Sequence, residues 1–257
     1  MSPLAIAAGF LFLAAVPSLV IKLPPRWNIA FWAALLLVSV GLWLALAPAE
    51  AVKPIEVARV GAYVIGCGLV CFRPAWLRLP RKAMPTAAMG LVVFMLFGGA
   101  FLRFKLGDWP GVVVTVLMIL AIGGPRSIRW SDGPPSGGGV IDVGWAWILA
   151  YTAWHLAIGP EYLGHNLLGR KLFVMAVVLT LCLVHGPEQW LRLRLYIVAP
   201  QTAGVFIFPE VFEEAMTTPG FEFEGLRPLM NGIAVLLLIP AMRRNVRRWW
   251  RPDDPEV

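Results

Sequence analysis

Polar side chains that can exchange protons or bind polar ligands are concentrated between Trp145 and Glu210. All three histidines of the chain lie there, together with glutamates, two glutamines and an asparagine, set into or beside long apolar runs. Ionisable side chains are costly in lipid and usually serve a function where they occur there. The candidate site residues are Trp147, Tyr151, Trp154, His155, Gln201 and Glu210, with Glu161, His165, Asn166, His185 and Glu188 at the mouths of a pathway.

Four of these side chains share one face of a predicted helix. Trp147, Tyr151, Trp154 and His155 stand at i, i+4, i+7 and i+8, which places them on one side of a helix. The face predicts either the wall of a pocket or pathway, where His155 exchanges a proton near neutral pH, or a contact between helices. Gln201, which follows a proline, is expected to complete the group with Glu210.

The sequence Gly-Pro-Glu occurs twice in this stretch, at Gly159–Glu161 and at Gly186–Glu188. In both places it is expected to end a helix sharply and to present a carboxylate at a membrane face. A membrane-spanning helix would separate His165 from His185 by roughly 30 Å, so one metal ion cannot bind both. The sequence predicts no metal site and no cofactor, and it contains no nucleophile motif such as GxSxG.

Composition indicates that membrane-spanning helices position these residues. Hydrophobic residues make up 59% of the chain and charged residues 14%, and the mean hydropathy is +0.74. These values lie outside the range of soluble domains and predict a polytopic membrane protein. The cysteines fall inside hydrophobic segments and are expected to be small core residues rather than disulfides.

A spanning helix needs about 20 residues, so the chain has room for about nine helices and for no sizeable soluble domain. The first run has no preceding positive region, unlike a secretory signal, and is expected to be a span. Trp109–Gly123 is short for a span, so eight spans are the alternative. The apolar runs are Pro3–Ile21, Ile29–Ala47, Val57–Phe72, Pro85–Leu102, Trp109–Gly123, Val140–Ile158, Leu172–His185, Leu195–Phe208 and Pro228–Met242.

Lysine and arginine are concentrated in alternate loops, which the positive-inside rule assigns to the cytoplasm. The N-terminus is then expected outside and the C-terminus inside, with Arg103 and Lys105 as exceptions in an outer loop. The net charge of +7 follows from this topology, and no nucleic-acid binding is predicted. Anionic lipid head groups are the expected partners of Arg243, Arg244, Arg247, Arg248 and Arg251.

The chain is predicted to form a single integral membrane domain over residues 1–257. The Gly- and Pro-rich segment 131–139 is expected to be a flexible linker between a half at 1–130 and a half at 140–257. Association of the chain with copies of itself is left open.

From Trp145 to Glu210 the order of features is similar to that of an uncharacterised family of bacterial multi-pass membrane proteins. The features are Tyr151, Trp154 and His155 on an aromatic helix, a proline-containing loop, and then Trp190, Arg194, Gln201 and Phe208-Pro-Glu. The first helix departs from the family pattern, since Thr152 and His155 stand where Asp and Asn are expected. The resemblance implies a bacterial inner-membrane protein and no established activity.

The sequence favours a small α-helical carrier or channel for a proton, an ion or a small polar solute. The alternatives are a membrane-embedded enzyme that acts on a lipid or isoprenoid substrate, with His155 and a carboxylate as acid and base, and a non-catalytic scaffold subunit.

Overall fold

The computed structural model describes residues 3–46, 83–131, 138–157, 168–207 and 225–250. These residues are mostly α-helical, which confirms the predicted helical class. The helices are α1 (Pro3–Val20), α2 (Pro25–Leu46), α3 (Ala83–Lys105), α4 (Trp109–Leu120), α5 (Gly144–Ala157), α6 (Leu168–His185), α7 (Trp190–Ile207) and α8 (Leu226–Trp250), and the strands are β1 (Ile128–Ser131) and β2 (Gly138–Ile141).

Each described helix coincides with one predicted apolar run, whereas the run Val57–Phe72 lies outside the described residues. Helix α7 begins at Trp190, five residues before the predicted run, because two arginines interrupt the apolar pattern but not the helix. Strands β1 and β2 pair on either side of the segment 132–137. The ends of the predicted linker therefore belong to a pair of strands. The number of nine membrane spans stays a prediction.

The chain divides into two compact units. Unit 1 comprises residues 1–84, 130–140 and 176–216, and unit 2 comprises residues 85–129, 141–175 and 217–257. The predicted halves, 1–130 and 140–257, divide the sequence at the linker. Contacts define the units instead, and each unit takes segments from both halves.

In unit 1, helix α7 lies against α1 and α2. Every residue from Trp190 to Val198 is buried, including Arg192 and Arg194. A helix that is buried on all sides needs neighbours on all sides. The first two turns of α7 are therefore central to this unit.

In unit 2, helices α4, α5 and α8 pack against one another. The start of α4 meets Asn231 of α8, and the carbonyl group of Ala121, just after α4, meets Asn245 of α8. Helices α4 and α8 therefore run in the same direction. Helix α5 runs in the opposite direction, since Trp147 near its start contacts the end of α4 and Trp154 near its end contacts the middle of α4.

Two described helical segments, Pro85–Lys105 and Leu226–Asn245, are long and apolar enough to cross a membrane by length and composition. Their mean hydropathies are 1.9 and 1.3. Shorter apolar helices lie at Gly9–Val20, Trp109–Leu120 and Lys171–His185. Both of the longer helices belong to unit 2.

Candidate functional site

The predicted aromatic face of α5 forms a column of rings. The rings of Trp147 and Tyr151 stack with centroids 5.6 Å apart, and those of Tyr151 and His155 stack at the same distance. The planes in these pairs differ by only 14° and 11°. Trp154 lies beside the column, 5.6 Å from Tyr151 and 6.3 Å from His155. The four residues do share one face, as their spacing predicts.

This face packs against α4 through both of its indoles. The Nε1 of Trp147 donates to the carbonyl oxygen of Met118 at 3.0 Å, and the Nε1 of Trp154 donates to the Thr115 hydroxyl at 2.8 Å. Both tryptophans are buried, as is Tyr151, while His155 is half-buried. Buried indoles normally find such partners. The two tryptophans therefore form a contact between helices, which is the second of the two roles predicted for this face.

A buried ion pair lies next to Trp154. Arg103, near the end of α3, is 1% exposed and pairs with Asp108. Its Nη1 also donates to Oδ1 of Asn231 at 3.1 Å, and its Nη2 donates to the carbonyl oxygen of Trp154 at 2.5 Å. The guanidinium carbon lies 5.3 Å from the centroid of the Trp154 ring. Residues from α5, from α8 and from the turn before α4 therefore hold the guanidinium of α3.

The turn between α3 and α4 brings the two charges together. Gly107 adopts a φ of 68°, a left-handed conformation that commonly ends helices at glycine. The backbone N–H of Asp108 then donates to the carbonyl oxygen of Arg103 at 2.9 Å. Asp108 is the N-cap of α4, and its Oδ1 accepts from the N–H of Gly111 at 3.0 Å and from Asn231 at 3.3 Å. We call Arg103, Asp108 and Asn231 the charge cluster.

Two glycines leave room for this packing. A Cβ atom on Gly111 would collide with the side chains of Arg103 and Asp108. A Cβ atom on Gly99 would lie 2.5 Å from Cη2 of Trp154. Real Cβ contacts are longer, so any side chain at Gly99 would displace the indole that covers the guanidinium.

The other end of unit 2 is held by polar contacts from α8. The amide nitrogen of Asn245 donates to the carbonyl oxygen of Ala121 at 2.7 Å and to that of Val143 at 3.3 Å. Arg244 pairs with Asp142 at 2.6 Å, at a partly exposed position. Arg243 is exposed. Arg247 and Arg248 lie on α8, and Arg251 lies outside the described residues. Lipid binding by these arginines stays a prediction.

Two of the predicted mouth residues, His185 and Glu188, belong to unit 1. Helix α6 ends at His185, and Gly186 follows with a φ of 97°, so the second Gly-Pro-Glu does end a helix as predicted. The Nε2 atom of His185 lies 3.0 Å from the Ser18 hydroxyl. Glu188 is half-buried in the turn before α7.

Unit 1 also contains a hydrogen-bonded set of buried polar groups. The Tyr196 hydroxyl donates to Oδ1 of Asn28 at 3.1 Å, and Nδ2 of Asn28 donates to the carbonyl oxygen of Val20 at 2.9 Å. The ring of Tyr196 stacks on Trp32 with centroids 4.4 Å apart. These hydrogen bonds join α1, α2 and α7 and hold α7 against the other two helices.

The remaining predicted site residues lie in the other unit or outside the described residues. Gln201 lies on α7, in unit 1, whereas Tyr151 and His155 lie in unit 2. The other four, Glu210, Glu161, His165 and Asn166, lie outside the described residues. Within the described ranges, no three His, Cys, Asp or Glu side chains lie together as a metal site would require.

In the sequence, Arg103 stands out only as an exception to the positive-inside rule, and Asp108 and Asn231 were not predicted as site residues. A signal was present, because Asp108-Trp-Pro places an N-cap residue before a proline in the first helical turn. The contact with Asn231 spans 128 residues of sequence from Arg103 and leaves no local pattern.

Comparisons with family models, with curated proteins and with solved structures found no match. The resemblance of Trp145–Glu210 to a bacterial membrane protein family therefore stays a prediction.

Proposed function

We propose that the chain is an integral membrane protein that works as a small carrier or channel for a proton, an ion or a small polar solute. The charge cluster is its proposed site. About nine spans, an outer N-terminus and a bacterial inner membrane complete the proposal. The observation that carries it is a buried ion pair held between the two helices that are long enough to cross lipid.

The exposed surface of unit 2 supports the membrane location. Only 28% of the apolar stretch of α3 and 22% of that of α8 are buried. Phe94, Phe97, Phe101 and Phe104 follow helical spacing along α3, and each is more than half exposed. Soluble proteins rarely leave such contiguous apolar surface in water, whereas hydrocarbon chains would cover it.

The opposite face of α3 supports a functional site. Ala88, Val92, Leu96 and Arg103 share the buried face, so the arginine follows apolar residues into the interior of the unit. A buried charge costs several kcal/mol unless it is paired and hydrogen-bonded. Ionisable residues inside membrane domains commonly mark substrate or ion pathways. The buried pair of Arg103 and Asp108 is such a feature.

The second candidate is a scaffold subunit in which the charge cluster only joins helices. It is favoured by the indole bonds to α4 and by the number of segments that hold Arg103. The enzyme alternative, with His155 and a carboxylate, stays a prediction without a specific supporting contact.

The test is transport by the purified protein in liposomes. Proton flux is followed with an internal pH dye, and ion flux with electrodes or labelled ions. We expect Asp108→Asn and Arg103→Gln to reduce flux at least tenfold. Lys105→Gln is the matched control, since it removes an exposed positive charge two residues along the same helix.

Flux that is absent for protons and for every solute tested would refute the carrier proposal and favour the scaffold. Equal effects of Arg103→Gln and Lys105→Gln would refute the role of the charge cluster. His155→Ala, measured in the same assay, tests the sequence-based prediction that His155 exchanges a proton.

A further inference from the structure

A serine and a histidine from distant parts of the chain meet in unit 1. Ser18 lies two residues before the end of α1, and His185 is the last residue of α6. The Oγ atom of Ser18 lies 3.0 Å from Nε2 of His185, across 167 residues of sequence, and both residues are half-buried. When the imidazole carries its proton on Nδ1, Nε2 accepts the hydroxyl proton of Ser18. This is the arrangement of a serine nucleophile and its general base.

Charged groups lie beside this pair. Lys22, four residues after Ser18, is exposed, and it lies close enough to His185 for its positive charge to act on the imidazole. The carboxylate of Glu188 lies against Gly186, the residue directly after His185, since a Cβ atom there would collide with both carboxylate oxygens. The end of α1 and the turn after α6 therefore bring a hydroxyl, an imidazole and an ammonium group together.

Exposed apolar side chains adjoin the pair on both helices. Leu19 follows Ser18, and Leu183 and Val184 precede His185, and each of the three is at least 66% exposed. In a membrane, acyl chains would cover such side chains. The ends of apolar helices lie where hydrocarbon meets the head groups, which is the depth of the ester bonds of a phospholipid. A lysine just beyond a helix end attracts the phosphate of an anionic lipid.

We propose that Ser18 and His185 form a hydrolase site for acyl esters of anionic lipids, with Lys22 binding the lipid phosphate. The Ser18 oxygen attacks the ester carbonyl carbon while its proton passes to Nε2 of His185. The proton then passes to the departing alcohol as the ester C–O bond breaks. Water, which gives a proton to His185, hydrolyses the acyl-serine, and His185 returns that proton to Ser18 as the fatty acid leaves. Ester and water are the only reactants.

The first test maps a covalent probe on the unchanged protein. A fluorophosphonate with a long alkyl chain reacts with serines that a neighbouring base activates. The full chain in phosphatidylglycerol vesicles is treated with this probe, and mass spectrometry of its peptides locates the adduct. We expect the adduct on Ser18. An adduct on other serines alone, or no adduct, would overturn the proposal, and neither result depends on the folding of a variant.

Variants then assign the roles of the two residues. Ser18→Ala should abolish the labelling, and His185→Gln should slow it by at least about a hundredfold, as expected for loss of a general base. Thr180→Val is the matched control, because it removes an exposed hydroxyl from α6, and it should react at the wild-type rate. Labelling of Ser18 at an equal rate with and without His185 would contradict the role of the base.

The second test measures the fatty acid released from vesicles of phosphatidylglycerol or of zwitterionic phosphatidylcholine. The wild type should hydrolyse the anionic lipid faster. Lys22→Gln should raise KM for phosphatidylglycerol about tenfold with little change in kcat, since it removes one charge-assisted contact to the substrate. Equal KM values for Lys22→Gln and the wild type would contradict the phosphate contact. Hydrolysis of a water-soluble ester alone would overturn the lipid substrate.

This activity is independent of the proposed transport, because Ser18 and His185 belong to unit 1 whereas Arg103 and Asp108 belong to unit 2. If solutes cross liposomes in a manner that depends on Arg103 but Ser18 takes up no probe, the hydrolase is wrong and the carrier stands. If Ser18 reacts and releases fatty acid but nothing crosses, the hydrolase stands and the carrier is wrong.

Discussion

The ion pair between Arg103 and Asp108 should stabilise the folded protein, and this can be tested without knowing any substrate. Asp108→Asn leaves the guanidinium, 1% exposed, without its counter-ion. Arg103→Gln leaves a carboxylate that still accepts hydrogen bonds from Gly111 and Asn231 at the start of a helix. The two single changes should therefore differ in cost, and the double change should cost less than their sum.

Magnitudes follow from the burial of each partner. Removing one member of a buried ion pair typically costs about 3–5 kcal/mol, and we expect this for Asp108→Asn. The carboxylate that remains after Arg103→Gln still caps α4. This change should therefore destabilise the protein by about 1–3 kcal/mol, the typical cost of removing one partner from a buried polar group. In the double variant both groups are neutral. The coupling energy should then be about 2 kcal/mol or more.

The assay is unfolding of the purified protein in mixed micelles by increasing fractions of sodium dodecyl sulphate, followed by far-ultraviolet circular dichroism. Lys105→Gln supplies the baseline for removing a positive charge at the end of α3. Single changes that add to within about 0.5 kcal/mol would mean that the pair is not coupled. That result would refute a stabilising interaction between Arg103 and Asp108.

Three further predictions use the same unfolding assay. Gly99→Ala should destabilise by about 1–3 kcal/mol, because its Cβ would overlap the Trp154 ring, whereas Gly98→Ala, with nothing within 4 Å, should be neutral or stabilising; equal effects would contradict the packing. Trp154→Phe and Thr115→Val should each cost about 1 kcal/mol or more and together less than their sum, since both remove the bond between Trp154 and Thr115, although Thr115→Val also removes the bond from the hydroxyl to the carbonyl oxygen of Gly111; full additivity would contradict this. Asn245→Ala should cost about 1–3 kcal/mol by leaving buried carbonyl groups without donors, and an unchanged transition would refute its role.

The helices were largely predictable from sequence because long apolar runs and turn residues are local signals. The end of α6 illustrates this, since Gly186 and Pro187 mark it in the sequence and Gly186 adopts a positive φ in the structure. The start of α7 was missed because Arg192 and Arg194 reduce hydropathy without breaking a helix. Whether such arginines are buried depends on neighbours that a hydropathy pattern does not contain.

The candidate site was predictable only in part. The spacing of Trp147, Tyr151 and Trp154 established a shared face, but it could not say whether that face lines a pathway or packs on another helix. The charge cluster depends on a contact between Asp108 and Asn231, which are 123 residues apart. An arginine that contradicts the topology rule is a usable signal, because a charge in an unexpected place is often held by a partner.

The two asparagines of α8 have a consequence for how the protein is made. Helix α4 has 12 residues and spans about 18 Å, which is less than the hydrocarbon thickness of a bilayer. Its N-cap residue, Asp108, accepts from Asn231, and the carbonyl group of Ala121, after its last turn, accepts from Asn245, 124 residues downstream. During synthesis, α4 therefore leaves the ribosome long before the residues that secure its two ends. A chain that stops before α8 would lack the donor to the carbonyl group of Ala121 and one of the donors to Asp108, so unit 2 can be completed only after α8 has been made.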